Sequence, residues 1–171
     1  MSRIPRTPVF STGLDSPLGP VLLATTDRGL CGLWFEGQQH GPAPEAWARW
    51  TPAPHHPVLQ AARDQVRAYL DGQRRQFELP LDLSGGTDFQ QSVWQALLTI
   101  GYGRTSSYSA LAQWMARPQS VRAVGAAIGR NPLSLVVPCH RVLGAKGQLT
   151  GYAGGLARKQ SLLQLETLHA S

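Results

Sequence analysis

Three short apolar runs open the chain, "VFSTGL", "PVLLATT" and "LCGLWFE", each rich in β-formers and each closed by a turn such as "DSPLGP" or "TDRG". Runs of this length between Gly, Pro and Asp clusters predict an antiparallel meander of three strands. A Pro-rich stretch follows, "GQQHGPAPEAWARWTPAPHHP", with neither period, and reads as an irregular connection. The pattern then changes period. Val58, Leu59, Ala62, Val66, Tyr69 and Leu70 recur at helical spacing, and Gly72 ends the stretch. "FELPLDL" alternates like one more strand, and "SGGT" marks a boundary between residues 1–83 and 84–171.

Past that boundary the period is helical. "DFQQSVWQALLTI" puts Phe89, Val93, Trp94, Leu97 and Ile100 on one face, with Thr87 placed to cap its N-terminus. "SYSALAQWM" predicts a second, shorter helix. "PQSVRAVGAAIG" predicts a third, with Pro118 near its start, Gly129 at its end and a core stripe of Val121, Val124, Gly125 and Ile128. "GLARKQSLLQLE" predicts a last helix offering Leu156, Leu162, Leu163 and Leu165 for burial. The pattern is an α/β chain: an N-terminal antiparallel-sheet domain, then a mainly helical one.

The second and third helices of that half have the proportions of a helix-turn-helix, which many helical hairpins share. The outward face of the third is more telling: Ser120, Arg122, Ala123, Ala126 and Ala127 are small apart from one cation, so a nucleic-acid backbone or groove can approach closely. A major-groove reader would show several Arg, Asn or Gln side chains there, and only Gln119 and Arg122 qualify. Binding with little sequence preference, through the minor groove, is the expectation.

Charge sharpens this. The 171 residues carry a net charge of +6. Residues 1–83 balance eight arginines against eight acidic residues, whereas residues 84–171 set six arginines and two lysines against Asp88 and Glu166 alone. The whole excess lies in the helical half and suggests a polyanionic partner for it. No apolar run approaches the roughly 20 residues of a membrane span, and "MSRIPRTPVF" has no apolar block like that of a secretory leader. A soluble, cytosolic protein is expected. Two cysteines are too few for a disulfide framework and fit a reducing compartment.

One of them stands in "LVVPCHRVLG". Cysteine reacts as the thiolate, and flanking cations favour that form. Cys139 has His140 and Arg141 beside it and Lys146, Arg158 and Lys159 close in sequence. The apolar run before Pro138 predicts a buried extended segment delivering the thiol to a pocket. Neighbouring side chains on such a segment diverge, so His140 would reach Cys139 indirectly, for example through a water. A buried cysteine is more often a small hydrophobe, and Cys31, inside "GLCGLWF", fits that case. Two cysteines and five histidines form no C-x-x-C or H-x-x-x-H group, and the adjacent His55 and His56 lie in the Pro-rich connection, so no metal is expected.

The string "VVPCHRVLGAKGQLTGYAGGLARKQSLLQLE", together with "FQQSVWQALLTIGYGRTSSYSALA" and "VRAVGAAIGRNP" in that order, closely resembles the C-terminal domain of the 6-O-alkylguanine-DNA alkyltransferases, or methylated-DNA–protein-cysteine methyltransferases. P-C-H-R-V is that family's signature, and the similarity runs from about Thr87 to Glu166. The resemblance implies an N-terminal domain of ribonuclease-H-like type and a protein that flips 6-O-alkylguanine out of duplex DNA. It then moves the alkyl group irreversibly to its own cysteine, once per molecule, without a cofactor. Activity on 4-O-alkylthymine and cooperative binding along DNA stay open, and a monomer is expected.

Carried over by motif, Cys139 is the acceptor, His140 its base through a water, Glu166 the residue that orients the histidine, and Asn131 a brace for the reactive turn. Tyr108 donates a hydrogen bond to the extruded guanine and meets the phosphate backbone. Backbone groups of Val142 and of the "GYAGG" segment, including Ala153, line the base pocket with Tyr152. Arg122 enters the base stack, with Ser120, Ala123, Ala126 and Arg130 along the DNA. Gly101 stands where the family commonly has proline, Ala153 where some relatives have a hydroxyl, and a single N-terminal cysteine argues against the zinc that some relatives carry. Neither an added regulatory domain nor a second acceptor cysteine is evident, which disfavours a transcription-activating version. Two other classes remain to compare. A non-catalytic lesion sensor would lack the cysteine, and a Cys-His hydrolase would bring its histidine from a distant part of the sequence.

Overall fold

The computed structural model describes residues 7–170. Residues 1–6, part of the stretch judged for a secretory leader, and Ser171 lie outside them. The meander forms as the pattern predicts: β1 (Phe10–Leu14), β2 (Val21–Thr25) and β3 (Leu30–Phe35) pair antiparallel in sequence. The Pro-rich connection is not wholly irregular. It holds a one-turn helix α1 (Pro44–Trp47) and a two-residue strand β4 (Thr51–Pro52) that adds parallel to β1, giving the order β3-β2-β1-β4. Pairs this short are set by tertiary contact and leave no period to read.

One face of the sheet receives α2 (Pro57–Leu70), which buries Leu59, Ala62, Val66 and Tyr69. The other carries a small cluster of Val9, Ala24, Cys31, Trp34 and Trp50, with the two indoles stacked at 5.7 Å. Cys31 is thus held on the sheet face away from α2, and burial first, then the charge of Asp82, pushes its thiol up to about 12. Burial and a raised pKa both favour the neutral thiol, in keeping with the small-hydrophobe reading of its sequence context.

"FELPLDL" does not become a strand. Only Leu81 bridges, to Leu30, held by Leu30 N–H to Pro80 O and Asp82 N–H to Leu30 O, both 2.8 Å. Pro80 has no N–H to donate, so the ladder stops there. The same outer edge of β3 grips a distant segment. Leu33 N–H donates to Pro132 O at 2.8 Å and Ser134 N–H to Leu33 O at 3.1 Å. The sheet edge therefore holds the loop that leads to Cys139.

In the second half α3 (Asp88–Leu97) starts at Thr87 with a reciprocal capping box with Gln90. It packs against α4 (Tyr108–Trp114) and α5 (Val121–Gly129). Between α3 and α4 lies β5 (Ser106–Ser107), parallel to β6 (Val142–Leu143), and α6 (Leu156–His169) closes the chain.

Three expectations fail here. Pro118 lies outside α5, which begins at Val121. Ala127, assigned outward, is buried and its carbonyl accepts the Trp94 indole N–H at 2.9 Å, while Val121 and Gly125 are only partly buried. Along α6 the buried positions are Lys159, Leu162 and Glu166, with Leu156 exposed and Leu163 and Leu165 half-buried. Polar side chains took positions that hydrophobicity alone would award to leucine, because they have partners inside. Leu23, Leu33, Tyr69, Trp94, Leu133, Val137 and Leu162, drawn from both halves, belong to one continuous apolar cluster.

Candidate active site

Cys139 is not on an extended segment. The run from Asn131 to Pro138 is a chain of tight turns, and Cys139–Arg141 form a single 3-10 turn. Val136 N–H donates to Ser134 O at 3.0 Å around Leu135, whose φ of 77° lies in the left-handed region. For a non-glycine residue that conformation costs about 1–2 kcal/mol. Cys139 N–H donates to Val137 O at 2.8 Å around Pro138 at φ −82°, ψ 62°, an inverse γ-turn set by the proline ring. The turns leave few backbone partners, and Asn131 supplies them. Its Nδ2 donates to Val137 O at 2.9 Å and to Cys139 Sγ at 3.2 Å, and its Oδ1 accepts from Leu133 N–H at 2.9 Å.

The thiol faces a pocket of about 130 Å³ lined also by Tyr108, Gly125, Ile128, Gly129 and residues 151–153, with Gln39 and His40 from the N-terminal half. Tyr108, Tyr152 and Ala153 thus share one pocket with Cys139. Tyr108 Oη donates to Thr150 O at 3.1 Å, which orients the phenol. The Val142 carbonyl accepts from Lys159 Nζ at 2.6 Å.

His140 is fully buried, with Nε2 2.7 Å from Glu166 Oε2. A deeply ionised carboxylate there selects the tautomer that carries its proton on Nε2 and leaves the Nδ1 lone pair free. Among the described residues Nδ1 has no hydrogen-bond partner. Glu166 receives more than histidine. Arg141 donates Nε to Oε1 at 2.8 Å and Nη2 to Oε2 at 2.9 Å, Gly103 N–H donates to Oε1 at 3.2 Å, and the Tyr69 hydroxyl donates to Oε2. Burial raises the carboxyl pKa, but these hydrogen bonds and the neighbouring charge outweigh it and hold Glu166 well below the usual carboxylate range. Burial lowers His140 below its ordinary 6.5, against the pull of Glu166, so the imidazole is neutral at pH 7.

The cations flanking Cys139 do not lower its pKa as expected. Burial dominates and pushes the thiol up to about 11, against the Asn131 hydrogen bond and the charge of Lys159. Arg141 is spent on Glu166 and, through Nη1 at 2.6 Å, on Ile100 O. Arg158 is anchored to Leu18 O, Gly154 O and Glu36 O, and Lys146 is exposed. Lys159, buried and bonded to the carbonyls of Val142, Thr150 and Gly151, is the cation whose field reaches the sulfur.

On α5, Arg122, Ala123 and Ala126 are exposed and Ser120 and Arg130 half-buried. Arg122, Gly125, Ala126 and Gly129 share a helical stripe, and Gly125 and Gly129 line the pocket, so the small exposed face runs into the mouth of the site. Among the described residues no three of His, Cys, Asp and Glu gather as a ligand set, and no helix is long and apolar enough to cross a membrane. The sequence reading missed Tyr69 altogether, and took Arg141 and Lys159 only as cations near the thiol, not as the partners of Glu166 and of the Val142, Thr150 and Gly151 carbonyls. A signal existed for one of them: Lys159, Leu162 and Glu166 recur at i, i+3 and i+7, so a lysine shares the stripe of the glutamate.

A family model for the DNA-binding domain of 6-O-methylguanine DNA methyltransferase matches residues 88–168, and one for its ribonuclease-like domain matches residues 9–83. The chain is 48% identical over 157 residues to a Mycobacterium tuberculosis methylated-DNA–protein-cysteine methyltransferase, covering 92% of each. It is 43% identical over 154 residues to a Methanosarcina barkeri protein of the same name, covering 90% of this chain and 94% of that one. The crystal structure of Mycobacterium tuberculosis OGT in complex with DNA matches with a TM-score of 0.83 at 45% identity, covering 94% of this chain and 93% of that one.

Proposed function

The chain belongs to the methylated-DNA–protein-cysteine methyltransferases, and from that premise we propose how its residues repair DNA. The protein binds DNA and takes the alkyl group of 6-O-alkylguanine onto one of its own cysteines, restoring guanine. The acceptor is Cys139. The observation that carries this is the sulfur itself: it faces the pocket, receives the Asn131 amide, and is adjacent in sequence to a neutral buried histidine held by a carboxylate.

The thiol rests protonated, since burial holds it near 11. It ionises when the lesion docks, passing its proton through a water to Nδ1 of His140, whose imidazolium Glu166 stabilises. The thiolate attacks the alkyl carbon, an S–C bond forms, and the C–O bond breaks with its electron pair returning to the base. The thiol proton ends on the guanine. Tyr108, Tyr152 and the backbone of 151–153 hold the flipped base and stabilise the leaving group. The thioether has no leaving group that water displaces readily, so each molecule reacts once.

Residues 84–171 form the DNA-binding and transfer domain and residues 1–83 the α/β domain that supports it. Arg122 fills the space vacated by the flipped base, and Ser120, Ala123, Ala126 and Arg130 lie along the duplex. The protein works as a monomer in the cytoplasm. The test uses duplex DNA carrying labelled 6-O-methylguanine. One equivalent of label should move to Cys139, and Cys139→Ala should abolish transfer while keeping DNA affinity. Repeated turnover would instead indicate a hydrolase, and binding without transfer a lesion sensor.

A further inference from the structure

Tyr69 stands near the end of α2, in the N-terminal half, fully buried. Its ring is fixed by Phe77 at 5.3 Å and by the edge of Tyr102 at 5.9 Å. Its hydroxyl crosses into the other half, donates to Glu166 Oε2 and lies 3.5 Å from His140 Nε2. The other donors to that carboxylate, His140, Arg141 and Gly103, all come from residues 84–171.

Position and charge both follow from this. A carboxylate has two oxygens, and here Oε1 is fixed by Arg141 and Gly103 while Oε2 is shared among Arg141, His140 and Tyr69. The phenol fixes where Oε2 lies, and so the plane in which the imidazole is held. It also draws on the electron density that Oε2 offers the His140 N–H, tempering how far Glu166 stabilises the imidazolium. A core tyrosine needing only a partner for its hydroxyl had a simpler solution in phenylalanine, which keeps the packing and removes the buried polar atom.

We propose that Tyr69 is a positioning residue for alkyl transfer, the contact through which the N-terminal half takes part in the chemistry of Cys139. This rests on the assignment of His140 and Glu166 given above. The groups whose charge or hydroxyl faces the pair are Tyr69 from α2, Arg141 from the reactive turn, Lys159 two turns before Glu166 on α6, Tyr152 from the pocket wall, and Tyr102 from the loop after α3, with Arg75 over the Tyr102 ring.

The experiment is Tyr69→Phe in the full chain, with single-turnover alkylation of Cys139 by free 6-O-alkylguanine base followed across pH. The rate at neutral pH should fall roughly tenfold, a fraction of the ~10²–10⁴ that a general base supplies. The acid limb of the profile should move to higher pH, because His140 gains a less shared carboxylate and becomes more basic. Affinity for undamaged duplex should not change. Replacing Tyr69 with a difluorinated tyrosine, a stronger donor, should move the same limb to lower pH, which also covers the case in which the phenylalanine variant folds poorly. An unmoved acid limb in both variants, with rates that track only the folded fraction, overturns the inference and leaves the assignment of Cys139 intact. Absence of transfer to Cys139 in the unaltered protein overturns both.

Discussion

Asn131 makes three bonds with one side chain, and each serves a different need. The bond to Val137 O closes the turn, the one from Leu133 N–H opens it, and the one to Cys139 Sγ favours the thiolate. Asn131→Ala leaves the buried Leu133 N–H unpaired, at about 1–3 kcal/mol, and takes one of its two donors from Val137 O, which keeps Cys139 N–H. The variant should melt several degrees lower, and Cys139 should need a higher pH to react with iodoacetamide. Faster reaction at neutral pH would mean that access to the sulfur, rather than the amide, sets its reactivity. The motif made Asn131, Cys139, His140 and Glu166 legible in the sequence. The sign of the thiol shift was not, because it depends on where each neighbouring cation points. Arg141 turns to Glu166 and burial wins.

At the scale of elements, α2 and α3 bury their apolar stripes as the period predicts. α5 is harder, since alanine suits either face and only packing against α3 decides that Ala127 goes in and Ala126 stays out. The two alanines should therefore respond in opposite ways. Ala126→Glu should fold like the unaltered protein and react normally with free alkylguanine, yet lose most duplex affinity, measured by fluorescence anisotropy, because a carboxylate would face phosphates. Ala127→Leu should instead cost about 1–3 kcal/mol of stability by overpacking. If Ala126→Glu bound duplex normally, α5 would not be the DNA-facing helix. The predicted strand at "FELPLDL" failed for a related reason: alternation marks a half-buried face, but a ladder also needs a partner along its length, and β3 offers one only at Leu30.

Across the whole molecule, one apolar cluster joins the two halves, and Leu33, Arg158 and Tyr69 bind across them. Unfolding should be a single transition, with tryptophan fluorescence and far-UV circular dichroism coinciding. Its dependence on pH follows from the buried groups. His140 and Glu166 both have folded values below their ordinary 6.5 and 4.5, so the unfolded chain binds more protons there. Stability should therefore fall on acidification from just under pH 6.5, and more steeply under 4.5. Cys139 and Cys31 have folded values above their ordinary 9.0, so the folded chain keeps protons that the unfolded one loses, and stability should fall again above pH 9. Lys159, lowered from 10.5, opposes that alkaline loss in part. Melting temperatures measured from pH 4 to 10 should show a plateau near 7–8.5, and a maximum on the acid side would contradict this balance. The sequence by itself determined the meander, the helices, the basic half and the P-C-H-R-V motif with its glutamate, because periodicity, charge and short motifs are local and survive without a fold. Only the tertiary structure decided that the thiol rests protonated, that Lys159 is the cation beside it, and that a tyrosine from the other half reaches Glu166. Burial and hydrogen-bond partnership belong to groups brought together from 97 residues apart, and no local pattern encodes them.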